Sequence, residues 1–331
     1  MNTLASRSVR CWVVTDGKIG MESQCVGLAE ALGLVPEVKR LVTRAPWRWL
    51  LPALWPPGFG AIDPAGDTLT PPWPDLVIAT GRQSVVPALA VKRASGGKSF
   101  LVQIQRPGIA SARFDVVVTP THDRLAGPNV IETLGSMHRI SSARLAEAAA
   151  EFAPGLAHLP RPLVAVLLGG PNKVYRWTDQ VLDRLADDLA RLCRDGGCGL
   201  AISASRRTGA DAFARLRARL AGLPAVFWSE GCGPNPYFGW LALADAIIAT
   251  VDSVNMVSEA CSTGKPVFVA PLAGGSGKFR RFHQRLAEAG MTRPFAGRLE
   301  QWTYTPLDET RRVADEIARR LAAHLAADAG G

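Results

Sequence analysis

The chain has 331 residues, with 38 basic and 29 acidic side chains and a formal charge of +9. That length suggests about two domains with sizeable cores, and 47% hydrophobic with 20% charged residues excludes a disordered chain. The 32 glycines and 24 prolines follow no period, which excludes collagen-like and solenoid architectures.

The N-terminal decapeptide lacks an apolar stretch, so no signal peptide is expected. No run of 18 apolar residues occurs, so no membrane-spanning helix is expected either. In chain order, strands are expected over residues 10–15, 75–80, 99–105, 114–119 and 129–133. They recur over 163–168, 199–204, 225–229, 246–251 and 266–270. Helices are expected over 20–32, 84–93, 141–152, 179–194, 210–221, 237–244, 254–263, 279–289 and 307–327. Continuously apolar strands separated by helices imply parallel sheets covered on both faces, an α/β doubly wound fold. Residues 153–162 (APGLAHLPRP) hold three prolines, and a new apolar strand follows directly. This predicts a first domain over 1–153, a second over 162–305, and a final segment 306–331. Two such domains are expected to face a cleft.

Six cysteines, none in a C-x-x-C pair, argue against a disulfide scaffold and a zinc site. No metal ligand set is expected. Absent are the nicotinamide glycine fingerprint, the P-loop, the H-E-x-x-H motif and the G-x-S-x-G elbow. No zinc-finger, RNP or basic-zipper pattern occurs, so nucleic acid is not expected as a partner. The arginines are mostly scattered over helices, where solvated faces explain them; anionic lipid or a phosphorylated small molecule remains as a charged partner.

Chemistry concentrates at strand-to-helix junctions. Asp16, Gly17, Lys18 and Gly20 follow the first strand; Gly81 and Arg82 follow the second. Glycines allow close approach, helix N-termini attract anions, and an arginine at a helix start conflicts with the dipole unless an anion is bound. Ordinary turns and a surface arginine account for the same residues. Gly169, Gly170, Asn172 and Lys173 open the second domain, and Ser205, Arg206 and Arg207 follow its next strand. Small residues with cations are what phosphate recognition requires. After strand 246–251, Asp252 or Ser253 is a helix cap, Asn255 and Met256 lie in the first turn, and Glu259 lies deeper. A carboxylate there suits ribose hydroxyls, with phosphates nearer the helix start; a plain helix-surface residue is the rival. The loop at 274–279 reads as flexible, with Lys278, and then Arg280, Arg281 and His283, within reach of a diphosphate. His122 and Asp123 stand where a first-domain base is expected, and His138 precedes the proline-rich stretch. The segment from Ala45 to Trp55 (APWRWLLPALW) mixes Trp47, Trp49 and Trp55 with Arg48, which suits an anionic membrane surface or an insertion folded on the first domain.

The stretches DGKIGMESQ, PPWPDLVIATGRQS, VQIQRP, FDVVVTPTHD, SASRRT, NPYFG, TVDSVNMVSEACSTGKPV, KFRRFH and YTPL resemble the mitochondrial-fission Elm-type family over nearly the whole chain. A wider resemblance is to GT-B glycosyltransferases, especially the lipid II-forming N-acetylglucosaminyltransferase. It rests on Gly17, Gly20, Gly169, Gly170, Ser253 through Glu259, Gly264 and Pro266. Met21 approximately replaces the relative's histidine, which leaves Asp16, His122 or Asp123 as the base. The resemblance implies metal-independent glycosyl transfer from a nucleotide-diphosphate sugar, with no other cofactor, and a final segment 306–331 that crosses back to the first domain. Glu259 would hold ribose, with Arg206, Arg207 or Lys278 at the leaving diphosphate. The alternative is a non-catalytic adaptor at a membrane surface. The expected location is the cytoplasm, with a peripheral position at the inner membrane under the membrane reading.

Overall fold

The computed structural model describes residues 8–329. They form two compact units: residues 8–139 with 308–329, and residues 140–307.

Unit 1 runs through β1 (Cys11–Thr15), α1 (Ile19–Ala31), β2 (Glu37–Arg40), β3 (Val42–Thr43) and β4 (Ile62–Asp63). It continues with β5 (Leu76–Thr80), α2 (Val85–Ala94), β6 (Phe100–Ile104), β7 (Val116–Pro120) and β8 (Val130–Thr133). Its six-stranded sheet has the order β2-β1-β5-β6-β7-β8, and every pair is parallel. Alternate residues serve opposite faces, as the pleat requires. Cys11, Val13, Ile78 and Val102 pack with Leu28 of α1, while Trp12, Val14, Val77 and Leu101 pack with Val85, Ala88 and Val91 of α2. β3 and β4 form a small antiparallel pair around the tryptophan-rich segment.

Unit 2 begins with α3 (Ser142–Leu156) and β9 (Leu163–Leu168), β10 (Tyr175–Arg176), α4 (Asp179–Arg194), β11 (Gly199–Ala204), α5 (Ala210–Arg219) and β12 (Ala225–Trp228). Then come α6 (Tyr237–Leu243), β13 (Ala246–Thr250), α7 (Val254–Cys261), β14 (Val267–Ala270), β15 (Ala273–Gly274), α8 (Gly277–Glu288) and β16 (Thr292–Pro294). The main sheet is again all parallel, ordered β12-β11-β9-β13-β14-β16. One face buries Val164, Val166, Leu200, Ile202 and Phe268 against Leu185 and Leu189 of α4 and Leu216 of α5. The last helix, α9 (Glu309–Ala329), places Val313, Ile317, Leu321 and Leu325 in the core beside α1. The Glu309 carboxylate accepts the Leu134 N–H at 2.6 Å, and the Thr310 hydroxyl donates to the His138 carbonyl at 3.1 Å.

The boundary between the units lies between Arg139 and Ile140, not in the proline-rich stretch near residue 155. The helix expected to close the first domain instead opens the second. The reason is a close helix contact: a Cβ on Gly239 of α6 would stand 2.7 Å from the Phe152 ring and 2.8 Å from the Ala148 carbonyl of α3. The Arg144 guanidinium also lies 5.6 Å from the Phe238 ring centre.

Candidate functional site

An open parallel sheet forms a crevice at its carboxyl edge where the strand order reverses. In unit 2 that point lies between β9 and β13. The segments leaving these two strands are bonded to each other. The Gly169 N–H donates to Thr250 Oγ1 at 2.7 Å, and Thr250 Oγ1–H donates to Asp252 Oδ1 at 2.7 Å. The Gly170 N–H donates to Asp252 Oδ2 at 2.9 Å. Arg207 Nη2 stands 2.8 Å from the same oxygen, while its Nη1 donates to the Gly170 carbonyl at 3.1 Å.

The Asp252 side chain is fully buried, 0% exposed. It is therefore the anion that the glycine loop cradles, and Arg207 is its counterion. This corrects two sequence expectations. The glycines are dictated by the protein's own groups: a Cβ on Gly169 would overlap the Asp252 carboxylate, and one on Gly170 the Arg207 carbonyl. Arg207 is held by Asp252 rather than left for a ligand diphosphate. Asn172 has a turn-shaping role, its Oδ1 accepting the N–H groups of Val174 and Tyr175, both at 2.9 Å. Ser205 and Thr208 tie the β11 end to β9: the Ser205 N–H donates to Leu168 O at 2.9 Å, and Thr208 Oγ1 to Gly169 O at 2.6 Å. Lys173 and Arg206 are exposed. The Arg206 Nε lies 3.8 Å from Glu230, a loose surface contact.

Ser253, not Asp252, caps α7; its Oγ accepts the Met256 N–H at 3.3 Å. Val257, Ser258, Ala260 and Cys261 are buried, whereas Asn255, Glu259 and Ser262 form a half-buried stripe. That spacing is one helix face. Glu259 Oε2 accepts the Tyr237 hydroxyl of α6 at 2.5 Å. Burial raises the Glu259 carboxyl to about 7, against which the Tyr237 hydrogen bond acts. Burial and the neighbouring Glu259 raise the Tyr237 phenol well above its ordinary value.

The expected flexible loop at 274–279 is instead held by pairing, because β15 is antiparallel to β10, with Tyr175 opposite Gly274. Gly274 has φ +109°, and a Cβ there would overlap the Val174 carbonyl. Ser276 caps α8, which carries the exposed Lys278 and Arg280 in its first turn. His283 Nε2 lies 2.7 Å from the Val251 carbonyl, linking α8 to the end of β13. Burial lowers its imidazole pKa.

In unit 1 the strand order reverses between β1 and β5. Asp16 is ion-paired with Lys18, the N-cap residue of α1, and Gly20 lies in its first turn. Gly17 and Gly81 both have positive φ, +77° and +79°. Arg82 does not await an anion. Its guanidinium donates to the carbonyls of Trp49 at 3.2 Å and Arg48 at 2.5 Å, which offsets the unfavourable position at a helix start.

Asp123 lies in the 3-10 turn after β7, where Thr119 Oγ1 is 3.5 Å from its Oδ2. The His122 side chain lies outside the described residues. β1 and β7 are three strand spacings apart, roughly 14 Å, so Asp16 is not brought beside Asp123. His138 is buried beneath α9; burial depresses its imidazole to about 4, which suits a packing residue. Trp55 is buried, but Trp49, Leu51 and Leu54 are 63%, 61% and 61% exposed. The Arg48 guanidinium lies 4.4 Å from the Trp49 ring centre.

Tyr237 and Thr250 lie in the stretches NPYFG and TVDSVNMVSEACSTGKPV, but the sequence assigned neither of them a role in this arrangement. The Asn-Pro pair before Tyr237 signals the start of α6, but nothing local signals its bond to Glu259. Among the described residues, no helix is long and apolar enough to cross a membrane.

Set against known proteins, residues 19–321 match the family described as mitochondrial fission ELM1. The mitochondrial fission protein ELM1 of Arabidopsis thaliana is 34% identical over 290 residues, covering 80% of this chain and 68% of the plant protein. Among solved structures, UDP-GlcNAc 2-epimerase from Methanocaldococcus jannaschii aligns with a TM-score of 0.56 and 11% identity, covering 95% of this chain and 99% of that one. The same organism's enzyme in complex with UDP-GlcNAc and UDP gives a TM-score of 0.52, with the same identity and coverage. That likeness is one of fold, two Rossmann-like units of the GT-B-like type. The sequence match goes further: the chain belongs to the mitochondrial fission ELM1 family.

Proposed function

We propose that this protein binds a nucleoside-diphosphate sugar at the carboxyl edge of the unit 2 sheet and transfers its glycosyl group. The observation that carries the reading is α7. Its N-terminal amides lie roughly 8 Å along the helix from Glu259. That length suits a diphosphate at the helix start and ribose hydroxyls on the Glu259 carboxylate. Arg206 and Lys278 are the cations for the leaving diphosphate, whose developing charge is the main quantity to stabilise. Arg207 acts indirectly, by holding Asp252. The acceptor hydroxyl gives up its proton to a general base as it attacks. A structure of the same fold is described as a complex with UDP-GlcNAc and UDP, a ligand of this class.

Isothermal titration with UDP-, GDP-, ADP- and CMP-sugars tests the reading. One should bind, and Glu259→Ala should abolish or strongly weaken it. No binding by the wild-type chain, or binding indifferent to Glu259→Ala, refutes it. A chain that binds a donor but yields neither transfer nor hydrolysis products supports the non-catalytic alternative.

The membrane reading rests on a separate observation. Trp49, Leu51 and Leu54 project exposed apolar surface, and residues 38–62 contain no acidic side chain while carrying Arg44 and Arg48. Such a surface suits the headgroup region of an anionic bilayer, with a peripheral cytoplasmic location. Flotation with phosphatidylglycerol vesicles should recover the wild-type chain and not a Trp49→Ala, Leu51→Ser, Leu54→Ser variant. Equal recovery of both refutes this reading.

A further inference from the structure

Glu259 is not held by its own helix. Its side chain stands on the half-buried stripe of α7, and the directional contact that fixes Oε2 comes from α6, through the Tyr237 hydroxyl at 2.5 Å. Tyr237 is itself fixed. It is the first residue of α6, its N–H donates to Asn235 Oδ1 at 3.0 Å, and its ring meets Phe238 edge-on with centres 5.6 Å apart. Behind it, the close approach of α3 at Gly239 locks α6 in place. A carboxylate with one oxygen engaged by a fixed donor has a defined plane, and its other oxygen is set for a second donor.

We infer that Tyr237 is the positioning residue of the nucleotide site, orienting Glu259 so that the carboxylate accepts the ribose hydroxyls and the site prefers ribonucleotides over 2′-deoxyribonucleotides. This rests on the donor-binding reading above. A glutamate on a helix face samples several rotamers, and two hydroxyls on one carboxylate are geometrically demanding. Removing the phenolic oxygen leaves the half-buried carboxylate in place but misaligned. Tyr237 is the titratable group acting on Glu259, and its hydrogen bond favours the charged form that ribose hydroxyls require.

The test compares UDP, GDP, ADP and CDP, with the 2′-deoxy counterpart of each, by titration of the full chain at pH 8. The wild-type chain should prefer the ribose form of its nucleotide by about tenfold or more. Tyr237→Phe should weaken ribonucleotide binding by about tenfold, leave deoxynucleotide binding unchanged and so collapse the preference. In the Glu259→Ala background the same substitution should have no further effect. A merely structural role would weaken both forms together. That outcome overturns the inference, as does an unchanged preference in Tyr237→Phe. As a measurement on the wild-type chain alone, the ribose preference should fall between pH 8 and pH 6 as Glu259 takes up its proton; a constant preference contradicts the inference. If no nucleotide binds the wild-type chain, the donor-site reading itself fails and the inference with it.

Discussion

Replacing Glu259 by glutamine removes a charge while keeping an oxygen for the Tyr237 hydroxyl. In the folded chain, burial raises the Glu259 carboxyl from its ordinary 4.5 to about 7. Each pH unit between those values corresponds to about 1.4 kcal/mol, so charging Glu259 in the folded chain costs about 3 kcal/mol, as an upper bound for a half-buried group. The sign follows from proton binding. Between pH 4.5 and 7 the folded chain holds the Glu259 proton more tightly than the unfolded chain, so stability falls as pH rises. The cost is absent below 4.5 and complete above 7. Urea unfolding followed by circular dichroism, at pH 5, 6, 7 and 8, measures it. Glu259→Gln should exceed the wild type by no more than about 1 kcal/mol at pH 5 and by up to about 3 kcal/mol at pH 8. Taking the difference between the two chains cancels other titrating groups, His138 in particular, whose effect runs the opposite way. A difference that stays constant from pH 5 to pH 8 would show that Glu259 titrates normally, and the argument from its burial would fail.

Substitutions at three other positions probe the framework. His138, depressed to about 4 by burial, binds its proton less well in the folded than in the unfolded chain. Its contribution is present above pH 6.5 and is lost as pH falls towards 4. It amounts to about 3 kcal/mol, and a His138→Gln chain should lack that acid-side drop in urea unfolding. Asp252→Ala strips the partner from the Gly170 amide, the Thr250 hydroxyl and Arg207, and should destabilise unit 2 by about 3 kcal/mol; Asp252→Asn should cost less. Gly170→Ala forces a methyl group against the Arg207 carbonyl, and a loss of about 3 kcal/mol is expected. A wild-type melting temperature for that variant would mean the junction yields more easily than its hydrogen bonds imply.

The strands that could be read from the sequence are the ones buried on both faces, such as 163–168 and 76–80, where continuous apolar runs leave no ambiguity. β2 could not be read, because Glu37–Arg40 is a four-residue edge strand with a single apolar residue, Val38, among three charged ones. β16 is three residues ending in proline, also at an edge. The interunit boundary was misplaced because prolines mark a chain break, whereas Gly239 and Phe152 decide where α3 packs, and they lie 87 residues apart. The same holds at the site. Local spacing put Glu259 about two turns into a helix and cations at strand ends. It could not tell a cation that meets solvent, Arg206, from one already paired, Arg207, since Asp252 is 45 residues further on. Tyr237 escaped for the same reason, its partner being on another helix.

A nucleotide-sugar site built from α7 and the start of α8 is tested most directly by hydrogen–deuterium exchange with and without a saturating donor sugar, which reports location as well as binding. Exchange should slow over residues 253–262 and 274–281, with the same donor leaving those segments unprotected in Glu259→Ala. Protection confined to other segments, or none at any donor concentration, would contradict it.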